Sequence, residues 1–253
     1  MFFSKLLTKY KKVNHCFFSR KNGFSKGIYT SLNCGMGSKD RKDHVSKNLE
    51  FVCKKLGVKD KKLVLMTQTH SNKVLIVDEN NFKLTKFKAD AIITKAKGIA
   101  LGVLTADCVP IILYDQKNNI IASIHAGWRG CISGIIDNTV NKMKELGQDS
   151  SILASVGPCI GNQSYEVDED FCENFKNQSV KNSLFFKSKG NKKLLFDIRA
   201  FVNKRLELLG VKDIDNIEMD TFQDPDNFYS YRRSKKLQEP DYGRCISTIC
   251  LKT

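Results

Sequence analysis

The sequence is poor in histidine and in long apolar segments. Only four of its 253 residues are histidine, and one is tryptophan. Four imidazoles are too few to hold the several ions of a multicopper enzyme. No run reaches the roughly 18 apolar residues that a membrane-spanning helix needs, so we expect no membrane partner. The lysine-rich first twelve residues do not have the pattern of a secretory signal peptide.

Paired cysteine motifs are also absent. The chain has nine cysteines, an odd number, and none stands in a Cys-x-x-Cys pair. This usage argues against a disulfide framework and against a zinc finger. Together with the lack of an export pattern, it predicts a cytoplasmic protein.

The positive charge is spread along the whole chain. The net charge is +15, and 34 of the 42 basic residues are lysine. There is no arginine-rich tract and no aromatic RNA-binding signature. We therefore predict a solvated lysine-rich surface that attracts anionic ligands by long-range steering, and no specific nucleic-acid partner. A basic RNA-binding module remains a remote alternative.

Arginine is scarce and clustered in motifs. Five of the eight arginines lie inside or beside glycine- and aromatic-containing motifs, namely Arg129, Arg199, Arg232, Arg233 and Arg244. The planar guanidinium recognises phosphate and carboxylate with two parallel hydrogen bonds. Either some of these arginines face an anionic ligand, or several only pair with core carboxylates.

Hydrophobic periodicity predicts an α/β fold. Apolar runs predict strands at 63–66, 74–78, 91–94, 99–105, 109–114, 120–124 and 152–156. Amphipathic patterns predict helices over 43–56, from the loop after His125 to Leu146, from about Asp168, and after an Asp197 cap. We expect one domain over residues 1–253, built on mixed sheets with flanking helices.

Three metal-binding residue types fall at the edges of predicted strands. They are His70, Cys108 and His125. Two histidines and one cysteine suit Zn²⁺, and three protein ligands leave a fourth position open, as in catalytic zinc sites. Taken singly, Cys108 reads as a small core residue and His70 as a polar loop residue. A rival role for Cys108 is a covalent nucleophile, which metal binding would prevent.

The segment after His125 suits phosphate. In Ala126-Gly127-Trp128-Arg129-Gly130 a glycine-containing loop enters a helix, where free backbone N–H groups and the helix dipole favour anions. We take Arg129 as the first candidate for phosphate binding. Trp128 can stack on a base or form part of a wall.

Four motifs resemble a known bacterial family. They are Gln68-Thr69-His70, Ala106-Asp107-Cys108-Val109-Pro110, the segment 125–130 and Gly157-Pro158-Cys159-Ile160. Their order and spacing, over about 15–251, are similar to the YfiH/YlmD family, variously described as polyphenol oxidase-like, purine nucleoside phosphorylase or peptidoglycan editing factor. The resemblance implies a layered YfiH-like fold, related to cysteine hydrolases, in which the matching His70, Cys108 and His125 bind the metal and are catalytic.

Other positions are compared with the same family. The segments carrying Arg20 and Asn33 resemble a strand and loop that approach the pocket, and Arg232 lies in the C-terminal motif, so all three are candidate substrate contacts. Asp90 supports the pocket wall or caps a turn. Many relatives have cysteine at Asp220, whose carboxylate can bind a cation or a ribose hydroxyl or cap a strand. Cys159 packs in the core or lies near the metal.

The resemblance leaves three functions open. The first is a zinc-dependent purine nucleoside phosphorylase acting on adenosine, inosine or methylthioadenosine, with adenosine deamination as a second activity. The second is a cytoplasmic amidase that edits peptidoglycan precursors. The third is a copper-dependent polyphenol oxidase, with Cu²⁺ held by the same three ligands. Nothing in the sequence demands a dimer, and we expect a monomer.

Overall fold

The computed structural model describes residues 1–59, 62–82 and 87–253. Its strands are β1 (Val13–Phe17), β2 (Leu63–Val64), β3 (Val74–Ile76), β4 (Ala91–Thr94), β5 (Ala100–Thr105), β6 (Val109–Asp115), β7 (Ile120–Ala126), β8 (Ile152–Val156), β9 (Glu166–Asp168), β10 (Phe186–Gly190), β11 (Lys193–Phe196), β12 (Asp213–Asn216) and β13 (Cys245–Leu251). Its helices are α1 (Lys42–Leu56), α2 (Trp128–Ser133), α3 (Ile135–Leu146), α4 (Glu169–Lys176), α5 (Ile198–Leu208) and α6 (Tyr231–Lys236).

The strands form three sheets. The largest has the order β12-β8-β6-β7-β4-β3, the second the order β1-β13-β5-β2, and the smallest the order β10-β11-β9. Parallel pairs occur at the edges of the two larger sheets, where β12 pairs with β8, β3 with β4 and β2 with β5. The remaining neighbours in both sheets are antiparallel. The prediction of mixed sheets with flanking helices is confirmed.

The two larger sheets pack face to face between helical layers. On β6, Ile111 and Leu113 pack in one core with helices α3 and α5, whereas Ile112 and Tyr114 pack in a second core against the four-stranded sheet. Helix α1 covers the other side of that sheet through residues that include Val52. Because both faces of β6 are buried, its sequence is a continuous apolar run rather than an alternating one.

Most predicted elements lie where the periodicity places them. The strands at 91–94 and 152–156 have the predicted bounds, and β6 and β7 pair as an antiparallel hairpin. Helix α1 ends at Gly57, whose φ of 70° provides the left-handed cap. The Asp197 side chain accepts a hydrogen bond from the Ala200 N–H at 2.9 Å, as a helix cap does. None of the helices in these described ranges is long and apolar enough to cross a membrane.

The single helix predicted from the His125 loop to Leu146 is wrong. The chain forms two helices there, because Gly134 has a φ of 88° and ends α2 after six residues. Its N–H bonds back to the carbonyl of Cys131, and α3 begins at the next residue. The apolar spacing continues across this break, so periodicity alone does not reveal it. The dipole at the start of α2 is therefore that of a very short helix.

Replacing Gly134 by alanine should destabilise the fold. A Cβ there meets no atom closer than 3.9 Å, so the cost is the left-handed backbone alone, roughly 1–2 kcal/mol of unfolding free energy. Urea denaturation measures it. Gly37→Ala is the matched control, because Gly37 has open space around it and no positive φ. Equal losses in both variants would contradict this explanation.

Candidate metal centre

Strand pairing brings Cys108 and His125 together. Cys108 immediately precedes β6, and His125 is the last but one residue of β7. In the antiparallel register, Val109 lies opposite Ala126 and Pro110 opposite His125. The start of one strand therefore lies beside the end of its neighbour. His70 lies in the loop that leads into β3, on the same sheet.

The three side chains converge on one point. Their ligand atoms all lie within 4.8 Å of one another, and His70 Nε2 is 3.7 Å from Cys108 Sγ. Bond lengths of about 2.0–2.3 Å around tetrahedral zinc place ligand atoms about 3.3–3.8 Å apart. The donor types and the His70–Cys108 distance are therefore compatible with a bound metal ion such as zinc. Within residues 1–59, 62–82 and 87–253, no other group of three such donors is found.

Gly127 leaves room for this convergence. A Cβ at this position would lie 2.5 Å from His70 Cδ2 and 3.1 Å from Cys108 Sγ. Any larger residue would push His70 away from the thiol. The glycine in the His125 motif is thus required by the close approach of a side chain, and its backbone is not in the left-handed region.

Asp90 orients both histidines. Its buried carboxylate accepts a hydrogen bond from His125 Nδ1 at 2.8 Å, which leaves Nε2 of that ring available to a metal. The same carboxylate accepts the N–H of His70 at 3.0 Å and both the N–H and O–H of Ser71 at 2.7 Å. Burial disfavours its charge, but the bonds from His125 and Ser71 hold the pKa of Asp90 well below its usual range. Asp90 both caps the loop and supports the site.

Asp107 holds the backbone next to Cys108. It has a φ of 88°, an unfavourable conformation for a residue with a side chain. Its buried carboxylate accepts hydrogen bonds from the Thr221 hydroxyl at 2.7 Å, the Ser230 hydroxyl at 2.9 Å and the Arg232 N–H at 2.6 Å. These C-terminal groups fix the turn from which the thiol of Cys108 projects.

The electrostatics favour a thiolate. Burial opposes ionisation of Cys108, but the charge of His125 and hydrogen bonds with His125 and His70 lower its pKa to about 6. Burial also disfavours the charge on His125, while Cys108 and Asp90 raise its pKa to about 9. The thiolate is the form of cysteine that binds metals.

Two of the predicted substrate residues lie around this centre. Arg129 is exposed, and its guanidinium carbon is 4.6 Å from the centre of the Trp128 ring. Trp128 in turn packs on Phe171 at 4.9 Å and so forms part of a wall. The backbone of Arg232 binds Asp107, and its side chain donates to the carbonyl of Glu166 at 2.6 Å. Substrate binding by Arg129 and Arg232 stays a prediction.

Arg20 and Asn33, the other two candidate substrate residues, make hydrogen bonds within the chain. Arg20 donates to three backbone carbonyls, those of Thr30, Pro225 and Ile28. Asn33 is fully buried, and its amide bonds to side chains and N–H groups of the chain itself, those of Ser38, Asp40, Gly35 and Arg244. A direct substrate contact by either residue stays a prediction.

Two further motif arginines, Arg199 and Arg244, bind backbone carbonyls and form no ion pair with a core carboxylate, one of the two alternatives, in the described residues. Arg199 donates to the carbonyls of Gly157, Ile217 and Met219. Arg244 donates to the carbonyl of Tyr242. These guanidiniums bind carbonyl groups that lie outside the paired strands and so stabilise the loops that carry them. Sequence spacing does not distinguish this role from ligand binding.

Asp220 and Cys159 both make contacts within the chain. The carboxylate of Asp220 accepts the Ser164 hydroxyl at 2.5 Å and the Phe222 N–H at 2.9 Å, so it caps a turn. Cys159 is completely buried in the apolar core beside the helices.

Tyr165 is a residue near the centre that sequence reasoning missed. Burial, followed by the charge of Cys108, raises the pKa of its hydroxyl. The Arg232 guanidinium lies 5.4 Å from its ring centre. Tyr165 follows a turn outside any periodic element, so only tertiary structure brings it within electrostatic range of the thiol.

A family model described as multi-copper polyphenol oxidoreductase laccase matches residues 14–252. The chain belongs to this family, that of the YfiH proteins. A relative from Rickettsia conorii, named purine nucleoside phosphorylase RC0672, is 39% identical over 191 residues, 75% of this chain and 78% of the relative. Purine nucleoside phosphorylase YfiH of Escherichia coli is 33% identical over 241 residues, 95% of each chain.

Solved structures show the same fold. Protein NMB0706 of Neisseria meningitidis has 29% identity and a TM-score of 0.86, with 96% of each chain covered. The YfiH protein of Bacillus licheniformis has 25% identity and a TM-score of 0.88, with 96% of this chain and 94% of the other covered. The expected YfiH-like fold is confirmed.

Cys108 should be the most reactive thiol of the metal-free protein. The other eight cysteines are buried, and Cys108 alone is partly exposed. Because its pKa is about 6, its alkylation by iodoacetamide should be near maximal at pH 8 and fall steeply below pH about 6. Mass spectrometry locates the adduct, and added zinc should block it. Even labelling of several cysteines would contradict the assignment.

Asp90→Asn should weaken zinc binding by about 10- to 100-fold, since loss of a carboxylate partner releases a metal-binding histidine. Competition with a chromophoric chelator measures the affinity. Asp78→Asn, at an exposed carboxylate, is the control and should bind zinc like the original protein. Equal affinity in all three proteins would show that Asp90 does not support the site. Circular dichroism would confirm that both variants are folded.

Proposed function

We propose that this YfiH-family protein is a zinc-dependent purine nucleoside phosphorylase. The convergence of His70, Cys108 and His125 within 4.8 Å carries the proposal, because it forms a three-donor site with an open position. Relatives at 33–39% identity are named purine nucleoside phosphorylases, which supports the reaction class. The substrates are then a nucleoside such as adenosine, inosine or methylthioadenosine, together with phosphate.

The residues of the centre have separate tasks in this proposal. Asp90 keeps the His125 ring turned so that Nε2 faces the open position, and Asp107 fixes the turn that presents Cys108. When bound, zinc supplies Lewis-acid activation of water or of a substrate oxygen. Trp128, packed on Phe171, forms an aromatic wall on which a purine can stack.

Arg129 is the proposed phosphate ligand. Its guanidinium is exposed and makes no hydrogen bond or ion pair with any group in the described ranges, while its position is held by stacking on Trp128. It lies four positions after His125 in the sequence. Since α2 has only six residues, we assign the phosphate contact to the side chain rather than to the helix dipole.

Adenosine deamination is proposed as a second activity of the same centre. It needs an activated water beside the purine and no phosphate, so both reactions use one nucleoside site. The family description favours copper as the alternative metal. Cu²⁺ can occupy the same three ligands, since its affinity for such donors generally exceeds that of Zn²⁺. A single three-donor group in the described part of the chain suits one ion, not a multicopper cluster.

Incubation of the zinc-loaded protein with adenosine should yield adenine only when phosphate is present, and inosine without it. Chromatography identifies each product. Cys108→Ala and exhaustive chelation should each abolish both reactions, because the centre loses a ligand or its ion. Cys172→Ala is the control, since Cys172 lies in α4 and outside the donor group.

The same experiment with copper-loaded protein identifies the working metal. Nucleoside conversion with zinc alone supports the proposal, and phenol oxidation with copper alone overturns it. Nucleoside conversion that persists in Cys108→Ala would show that the reaction does not take place at this centre. The absence of product with either metal would not contradict the metal site. It would favour the alternative function, an amidase that edits peptidoglycan precursors.

A further inference from the structure

A cavity separate from the metal centre lies beside the turn that precedes Cys108. It has a volume of about 320 Å³ and is lined by Arg20, Gly27, Ile28, Tyr229, Ser230, Arg233, Ser234, Glu239, Tyr242 and Gly243. Its wall residue Ser230 donates a hydrogen bond to the Asp107 carboxylate, on the residue before Cys108. None of the three metal-binding residues lines it. The two sites are thus neighbours that share the Asp107 turn but have different linings.

Two arginines are held rigidly at this cavity. Arg20 donates to the carbonyls of Thr30, Pro225 and Ile28 at 2.5, 3.2 and 3.3 Å. Arg233 donates to three carbonyls in a different segment, those of Thr221, Phe222 and Phe228. A guanidinium has five N–H groups, so each arginine keeps two that these contacts do not use. Both side chains are therefore held in place, and each keeps N–H groups that can donate to a ligand.

The two guanidiniums form no direct ion pair. Neither lies within 4.0 Å of a carboxylate in the described residues. The cavity carboxylate, Glu239, instead accepts the Ser234 hydroxyl at 2.7 Å. Burial lowers the pKa of Arg233, the Asp107 carboxylate opposes this shift, the charge of Arg20 lowers the pKa further, and Glu239 raises it. Two neighbouring guanidiniums without a carboxylate in direct contact are suited to an anion that binds both.

We propose that this cavity binds the phosphate group of a phosphorylated small molecule between Arg20 and Arg233. Paired guanidiniums are the donors that match phosphate oxygens. The volume exceeds what a single phosphate ion needs and lies at the small end of ligand pockets. Ser230, Ser234 and the rings of Tyr229 and Tyr242 line the remainder, which leaves room for the sugar of a sugar phosphate. The site is additional to the proposed phosphate ligand Arg129 and does not depend on that proposal.

Isothermal titration of the metal-loaded full chain tests this site. Ribose 5-phosphate should bind, inorganic phosphate should bind more weakly, and ribose without phosphate should give no heat. Arg233→Gln should weaken ribose 5-phosphate binding by at least roughly tenfold, because it removes a charged donor. Glu239→Gln should tighten it roughly threefold, because it removes a negative charge and keeps an acceptor for Ser234.

The two proposed phosphate sites are separated by Arg129→Gln. Ribose 5-phosphate affinity that is unchanged in this variant and tightened in Glu239→Gln supports the cavity site. Affinity lost in Arg129→Gln and unaffected by Glu239→Gln places the anion at the metal centre and overturns the proposal. Thermal unfolding checks each variant; if Arg233→Gln does not fold, Glu239→Gln still decides, since its expected effect is a gain. Absence of heat with ribose 5-phosphate also overturns it.

Discussion

The hydrogen bond between the buried carboxylate of Asp90 and His125 Nδ1 is the interaction on which the centre depends. The same carboxylate binds the backbone of the loop that carries His70. One negative charge therefore fixes a side chain on β7 and a loop before β3. Burying it is costly unless every lone pair is used, and here the bonds of the site supply that compensation. The carboxylate that supports the metal centre therefore also stabilises this loop.

A second aspartate has a matching role on the other side of the thiol. Asp107 draws the C-terminal segment onto the turn before β6 through Thr221, Ser230 and the backbone of Arg232. Residues more than a hundred positions apart thereby set the direction of Cys108. The same contacts bring Arg233 to the edge of the cavity that it lines together with Arg20. Changes in this segment can therefore reach the metal centre without touching a ligand.

The description of the family as multi-copper and the names of its relatives point to different chemistry. The donor group of this chain is compatible with either metal, because two imidazoles and a thiolate bind both zinc and copper. The two kinds of chemistry differ in the number of metal ions that they need. In the described part of the chain, three converging donors with a carboxylate partner offer a site for one ion, which suits hydrolytic or group-transfer chemistry more readily than the electron storage of several coppers.

The sequence by itself determined the fold class and the continuous apolar strands, and it singled out the three residues whose donor atoms converge. Strand and helix periods follow from local spacing, and the donor types limit the chemistry to a few metals. Gly134 shows where local spacing fails, because a left-handed residue interrupts the helix without disturbing the apolar pattern. Tertiary structure alone decided which arginines bind carbonyls, and which aspartates support the site. It also brought Tyr165 within electrostatic range of the thiol. These roles depend on contacts between distant segments, and such contacts leave no periodic trace in the chain.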